Sequence, residues 1–477
     1  MMLLCRQTHG IHGGLLVVAN SIGKKPPRAT EILRSAGLTP FRHILDPASF
    51  ARAWLKPLAA HAVLIPEIVF WLMATAALSQ PSMAAAMVSF WANLRASCPQ
   101  LPIEPLTEEA FCTARSNLPL RFFLRLFADL VERFTGKFGA RFRWKGFRLL
   151  GVDGMETDLP RQARLRKVFP PASNQRGPGS CPVGRLVGLV GLWDGICYAF
   201  RWTSLAVGEQ SSARRLFHRL IPMDLVLADR NFPDLESFAV ILGRAADFLF
   251  HLPSTRFLKK ARIPTPSGRP DEWYVDLALP KALRHEHPEL GPALRLRILQ
   301  YQRPGFRTSW LITSLRDTET FPYDELVGLY HQRWRQETFH REWKYTLQLS
   351  NLRSHSAAGL LKEVLVQLTL NNAIRWMMAE AVSQPAALPD DRPVDLKFLE
   401  AKRAILASLA AMTAAPAWAL MGLYQDLLRT LATQRIRVRP GRSYPRRWDG
   451  RARPKGHGRT AQPAKTTPQE KAHAFQI

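Results

Sequence analysis

Two short apolar runs, each closing on an aspartate, restrict this chain more than any other feature. Phe147–Val152 (FRLLGV) leads into Asp153-Gly154, and Asp224–Ala228 (DLVLA) leads into Asp229. Runs of this length without a polar face read as strands buried on both sides, the signature of an α/β sheet. The first is expected to stop in a turn at Asp153-Gly154. Between them, Gly184–Leu192 and Ile196–Leu205 flank Trp193-Asp194-Gly195 and read as a hairpin with an Asp-Gly turn. Helical periodicity follows from Glu209 to about Leu220. Beyond Asp229 come a helix (Leu235–Ala245), a strand (Phe248–Leu252), a polar stretch to about Thr308, a strand (Trp310–Leu315) and a long helix from Tyr323 to Leu347. The order β, hairpin, α, β, α, β, insertion, β, α predicts a mixed sheet of α/β class.

The flanks differ. Residues 28–135 read as mostly helical, with Pro99–Pro105 as a linker, and residues 359–435 return to helical patterns. The tail after Gln434 is dense in Arg, Pro and Gly and has no apolar period, so it is expected to be disordered when free. The predicted organisation is a mainly helical region over 1–145, an α/β domain over 146–380 and a C-terminal helical region over 381–434. A basic tail over 435–477 completes it.

Charge narrows the partner. The chain carries 66 Lys and Arg against 38 Asp and Glu, a formal net charge of +28. That excess calls for a polyanion. The longest apolar run, Ile68–Leu78, falls short of the roughly 20 residues a spanning helix needs. With Arg6 and His9 near the start and no signal-peptide pattern, a cytoplasmic, nucleoid-associated protein without membrane contact is expected. Cys5, Cys98, Cys112, Cys181 and Cys197 are scattered without metal spacing and read as reduced thiols. A metal would therefore be held by oxygen.

The sharpest local pattern lies in YHQRWRQETFHREWK, where Tyr330, Arg333, Glu337 and Lys344 recur at helical offsets. At about 100° per residue the four fall within roughly 60° of one another around a regular helix. The competing reading is a solvated helix with incidental charges, which is how Arg335, Arg341 and Glu342 read; His331 and His340 are expected to face solvent or DNA. Taken alone, Asp153-Gly154 and Asp229-Arg230-Asn231 also read as turn chemistry. Three carboxylates suit Mg²⁺, which takes one or two of them beside waters and phosphate oxygens.

Taken together, Asp153-Gly154, Asp229-Arg230-Asn231-Phe232 and Tyr330/Arg333/Glu337/Lys344 resemble the bacterial insertion-sequence transposases of the DDE class with the Tyr–Arg–Glu–Lys signature. The resemblance covers about 145–380 and keeps the family's motif order. It departs at Asn231, where relatives usually have glycine, and at Met155, where a small hydroxyl residue is common. It implies a ribonuclease-H-like catalytic domain with an insertion at about 254–308, and Mg²⁺ (or Mn²⁺) held by Asp153, Asp229 and Glu337. It implies cleavage at terminal inverted repeats and strand transfer into target DNA, in a cut-and-paste reaction carried out by a homodimer on double-stranded DNA. Arg333 and Lys344 would contact end phosphates, with Tyr330 and Arg230 alongside. In some relatives the insertion sets a tryptophan against a flipped base; Trp273, in DEWYVDL, is the best-placed candidate here, against its reading as a strand-packing aromatic. The alternatives are another ribonuclease-H-like nuclease and a non-catalytic, transposase-derived DNA-binding protein.

Overall fold

The structure is a computed structural model that describes residues 43–54, 63–78, 82–97, 106–174, 177–253, 262–303, 307–383, 396–415 and 417–436. The expected linker at Pro99–Pro105 and the basic tail beyond Ile436 lie outside the described residues.

Five helices come first: α1 (Pro47–Ala53), α2 (Pro66–Leu78), α3 (Met83–Ser97), α4 (Glu108–Asn117) and α5 (Leu120–Phe138). Their starts follow local chemistry. Asp46 caps α1 by accepting from the Ala48 amide, and Thr107 caps α4 by accepting from Ala110. In α5, Phe122, Phe123, Leu126, Phe127, Leu130, Phe134 and Phe138 form one buried stripe. The apolar run Ile68–Leu78 belongs to α2, whose side chains are mostly buried in the core. Among the described residues no single helix is long and apolar enough to cross a membrane.

The sheet begins with β1 (Arg143–Trp144) and β2 (Phe147–Asp158); after α6 (Ala163–Val168) and the small hairpin β3 (Ser173–Asn174) and β4 (Gly177–Pro178) come β5 (Val183–Gly191) and β6 (Cys197–Ser204). Then follow α7 (Glu209–Phe217), β7 (Asp224–Ala228), α8 (Leu235–Gly243), β8 (Asp247–His251), β9 (Ile263–Pro264), β10 (Glu272–Ala278), α9 (Lys281–Glu286), β11 (Ala293–Tyr301) and β12 (Ser309–Thr313). Apart from β3 and β4, which pair only with each other, the strands form one sheet in the order β6-β5-β2-β7-β8-β12-β11-β10-β9, with β1 paired to the start of β2. β2 is antiparallel to β5 and parallel to β7, β7 is parallel to β8, and β5 is antiparallel to β6. Counted along the chain, that half reads 3-2-1-4-5, with the third, second and first strands antiparallel and the fourth and fifth parallel to the first. This is the ribonuclease-H-like arrangement.

Two expectations are corrected. The turn at Asp153-Gly154 is absent: β2 continues to Asp158, paired with β5 from Leu150–Gly191 through Asp158–Val183. Nine ladder positions hold the strand extended where a local Asp-Gly preference would bend it. The polar stretch before Thr308 is not featureless either. β10 and β11 pair over seven positions and β12 pairs with β8, so the segment extends the sheet. Charged residues such as Asp276 and Arg295 on the open face masked the alternation, and they pair with each other at 2.9 Å.

The apolar runs are explained by burial on both sides. Leu150 and Val152 face a cluster with Ala213, Leu216 and Phe217 of α7 and Phe238 of α8. Leu149, Leu225 and Leu227 face the opposite cluster. There the central element is a helix of 26 residues, which with its neighbours completes the chain: α10 (Tyr323–Tyr330), α11 (Trp334–Arg341), α12 (Ala357–Val382), α13 (Phe398–Ala414) and α14 (Ala417–Thr433). α12 is buried nearly all round, which fits its lack of a polar face. Trp376 packs edge-on to Phe134 and Phe138 of α5, 6.0 and 5.6 Å between ring centres. Its polar residues are used inside: Asn372 accepts from the Cys197 amide at 2.9 Å, and Asn371 donates to Gly195 O at 3.1 Å. Both therefore clamp the hairpin turn, where Gly195 holds φ +71°. Cys112, Cys181 and Cys197 are free thiols.

Candidate active site

The last paired position of β2 with β7 is Gly151–Leu227. Asp153 and Asp229 each lie two residues beyond it, so the parallel register brings both acids to the same level of adjacent strands. Strand ends are where side chains leave an α/β core and meet a ligand. Asp153 accepts the Gly154 amide at 2.9 Å, and Asp229 accepts the Asn231 amide at 2.8 Å, which fixes one oxygen of each carboxylate.

The helix carrying the third acid is not uniform. A 3-10 turn spans His331–Arg333 between α10 and α11, and a π turn spans Glu342–Thr346 after α11. The even 100° spacing expected over Tyr330–Lys344 is therefore broken at two places, and the four signature residues do not form a straight stripe. Single π turns sit frequently at functional sites. Tyr330 is buried, with its phenol beside Arg333 and its ring near His251. Arg333 is also buried and acts electrostatically on Tyr330, Asp153, Asp229 and Glu337. Glu337 is exposed and meets Arg333 Nη2 at 3.4 Å. Lys344 reaches back to donate to Glu156 O at 3.2 Å. Arg230 is exposed beside Asp229.

Among the described residues no three His, Cys, Asp or Glu side chains converge tightly enough to hold one metal ion. Glu337, which leans on Arg333, does not close on the two aspartates. The donor chemistry still fits a hard cation. Burial, then the charge of Glu209, with a smaller push from Asp229, raises the Asp153 carboxyl from its ordinary 3.8 to about 7. The Gly154 amide and Arg333 oppose that rise. Carboxylates that raise one another in this way, with Arg333 shared among them, are the donor set a divalent ion would relieve.

Several groups escaped the sequence reading. Glu209 heads α7, an acid at a helix start that reads as ordinary dipole complement. His340, expected to face solvent or DNA, is largely enclosed instead. Its Nδ1 lies 3.8 Å from Asp153 Oδ2, its Nε2 is 3.2 Å from Gln336 Nε2, and burial lowers it to about 4. Glu342, read as solvated, is ion-paired with Arg375 of α12, and Trp343 Nε1 donates to Asn371 at 3.1 Å. These contacts seat the π turn on the core; their only sequence trace is a pair of asparagines and an arginine within a largely apolar helix.

Trp273 is buried in β10, opposite Ile298, with the Arg262 guanidinium 4.0 Å from its ring centre. That is the placement of a strand-packing aromatic, and a base could reach the ring only after the strand had opened. Trp334, beside Arg333, is the exposed tryptophan of the site helix.

The family model "Transposase DDE domain" matches residues 204–372, a span containing Asp229 and Glu337 but not Asp153. The chain is 25% identical over 307 residues to transposase InsG of insertion sequence element IS4 from Escherichia coli (strain K12), covering 64% of this chain and 68% of that protein. It also resembles the piggyBac transposase in a cryo-EM synaptic complex with hairpin DNA, with a TM-score of 0.41, 11% identity, and 86% and 88% of the two chains covered.

Proposed function

We propose that the chain is a DDE transposase of bacterial insertion sequences, a divalent-metal-dependent enzyme that cleaves DNA and transfers its strands in a cut-and-paste reaction at terminal inverted repeats, centred on Asp153, Asp229 and Glu337. The observation that carries this reading is the matched level of Asp153 and Asp229 on parallel neighbours, with Arg333 within electrostatic reach of both and of Glu337. Asp153 and Asp229, joined by Glu337, would hold Mg²⁺ or, in its place, Mn²⁺, and the bound metal would supply activation of the attacking hydroxyl and stabilisation of the leaving oxygen.

The chain's own groups do the rest. Arg333 takes a phosphate of the transposon end in bidentate geometry, because its planar fork matches two phosphate oxygens. The phosphate replaces Glu337 at the guanidinium and frees that carboxylate to turn towards the aspartates. Lys344 and Arg230 add positive charge along the backbone of the same duplex, and Tyr330 fixes the Arg333 plane. The helices over 1–145 grip the ends, two copies of the chain act as a dimer, and the reaction takes place on nucleoid DNA in the cytoplasm.

The test uses the full chain with its terminal-repeat duplex, a random duplex and a target plasmid in Mg²⁺. Cleavage at the repeat end followed by joining of the 3′-hydroxyl to plasmid is expected. Equal nicking of both duplexes without joined product would instead identify a general nuclease.

A further inference from the structure

A glycine after Asp153 has two physical explanations, a turn or a close approach by another group. The continuous pairing of β2 removes the turn. The room left at Gly154 is filled by Glu209: a Cβ there would lie 2.2 Å from Glu209 Oε1 and 3.0 Å from its carboxyl carbon. The Glu209 carboxylate thus rests on the backbone of the residue next to Asp153, and the Gly154 amide serves both acids. An acid in the first turn of α7 could satisfy the helix dipole while facing water; that role needs no seat in the strand bearing Asp153.

Nearby positive charge is already committed. Arg185, the cation closest to Glu209 in effect, donates to Glu156 at 2.8 Å and to Val207 O at 3.0 Å. Arg333 is shared among Asp153, Asp229 and Glu337. We propose that Glu209 is a fourth carboxylate of the active centre, holding a divalent cation jointly with Asp153 from its seat over Gly154. Two carboxylates completed by water and phosphate oxygens are a sufficient protein share for Mg²⁺. The inference rests on the reading of Asp153 as a metal ligand.

The experiment measures Mn²⁺ binding to the full chain by electron paramagnetic resonance, without DNA and so without turnover. Wild type, Glu209→Gln, Asp153→Asn, Gly154→Ala and the Glu209→Gln/Gly154→Ala pair are compared, with circular dichroism as the folding control. Glu209→Gln and Asp153→Asn should each weaken Mn²⁺ binding about 10- to 100-fold, the range seen when a metal's supporting groups are removed. Gly154→Ala, whose methyl displaces the Glu209 carboxylate, should match Glu209→Gln, and the double variant should be no worse than either single one, because both remove one interaction. If Glu209→Gln does not fold, Gly154→Ala carries the test. Wild-type Mn²⁺ binding by Glu209→Gln or Gly154→Ala, with loss in Asp153→Asn, overturns the inference and leaves the aspartate reading intact. Wild-type binding by Asp153→Asn overturns both.

Discussion

Among the buried arginines that meet glutamates, two are used in opposite ways. In the added strands, Arg297 and Glu272 are both fully enclosed; Nε donates to the carboxylate at 2.5 Å and Nη1 to Phe321 O at 2.7 Å. In the site helix, Arg333 has one 3.4 Å contact to an exposed Glu337, and its Nε is buried without an acceptor. Residue types alone do not separate a structural pair from a working one. Each keeps one buried nitrogen without an acceptor, so what separates them is how many acceptors are already engaged and whether the partner is enclosed. The Arg297 pair ties β10 and β11 to the entry of α10, whereas the Arg333 pair is a single longer contact to an exposed carboxylate that can swing away.

The strongest way to break this contrast is to remove each glutamate. Glu337→Ala should lower end cleavage by about three orders of magnitude or more, since several kcal/mol of charge stabilisation goes with a lost metal ligand. Its folding stability should shift by under about 1 kcal/mol, as for an exposed ion pair. Asp153→Ala and Asp229→Ala should match the loss of cleavage while retaining end binding in Ca²⁺. Near-normal cleavage by any of the three removes that residue from the centre.

Glu272→Ala should do the reverse. It strands Arg297 in the core and should cost about 3–5 kcal/mol in denaturant unfolding. A loss below about 1 kcal/mol would show that the enclosed pair is no different from the open one.

The next effect is a pH dependence. The Asp153 carboxyl is held at about 7, above its ordinary 3.8, so its contribution to stability is complete below pH ~4 and is lost as pH rises through 7. Metal-free protein should therefore unfold more easily at pH 8 than at pH 5, by a few kcal/mol at most from this group. Asp153→Asn should flatten that part of the profile; an unchanged slope would assign it to other groups.

The smallest effect probes Arg333 itself. Arg333→Lys keeps the charge and loses the fork, and should weaken repeat-end binding about tenfold, with Lys344→Ala weaker still in effect. Wild-type gel shifts for both would leave the three acids without a phosphate-binding flank.

These contrasts follow what the sequence could reveal. Asp153 and Asp229 were legible because strands buried on both faces leave uninterrupted apolar runs, and the acids mark where those runs stop. The spacing of Arg333 and Glu337 was legible because it survives as one helical turn. Glu209 was not, since its meaning lies in a contact with Gly154 across 55 positions of chain, and the glycine itself read as a turn. β10 and β11 stayed hidden because their exposed faces carry paired charges, and the π turn because no local residue preference encodes it. Trp273 invited a functional reading from its place in the insertion, but only its neighbours Ile298 and Arg262 reveal that it is packed.

One last feature changes how the ends of the molecule relate to its centre. The core cluster on the α12 side runs without interruption from Ile44 to Leu431. Through Trp376, α12 bears on Phe134 and Phe138; through Asn371 and Arg375 it bears on Trp343 and Glu342. A displacement of the N-terminal helices would therefore be passed, by way of packed rings and two polar contacts, to the π turn that carries Lys344 and follows the helix of Glu337. Clipping the chain near residue 140 would therefore strip α12 of the rings packed on it rather than release an intact α/β domain.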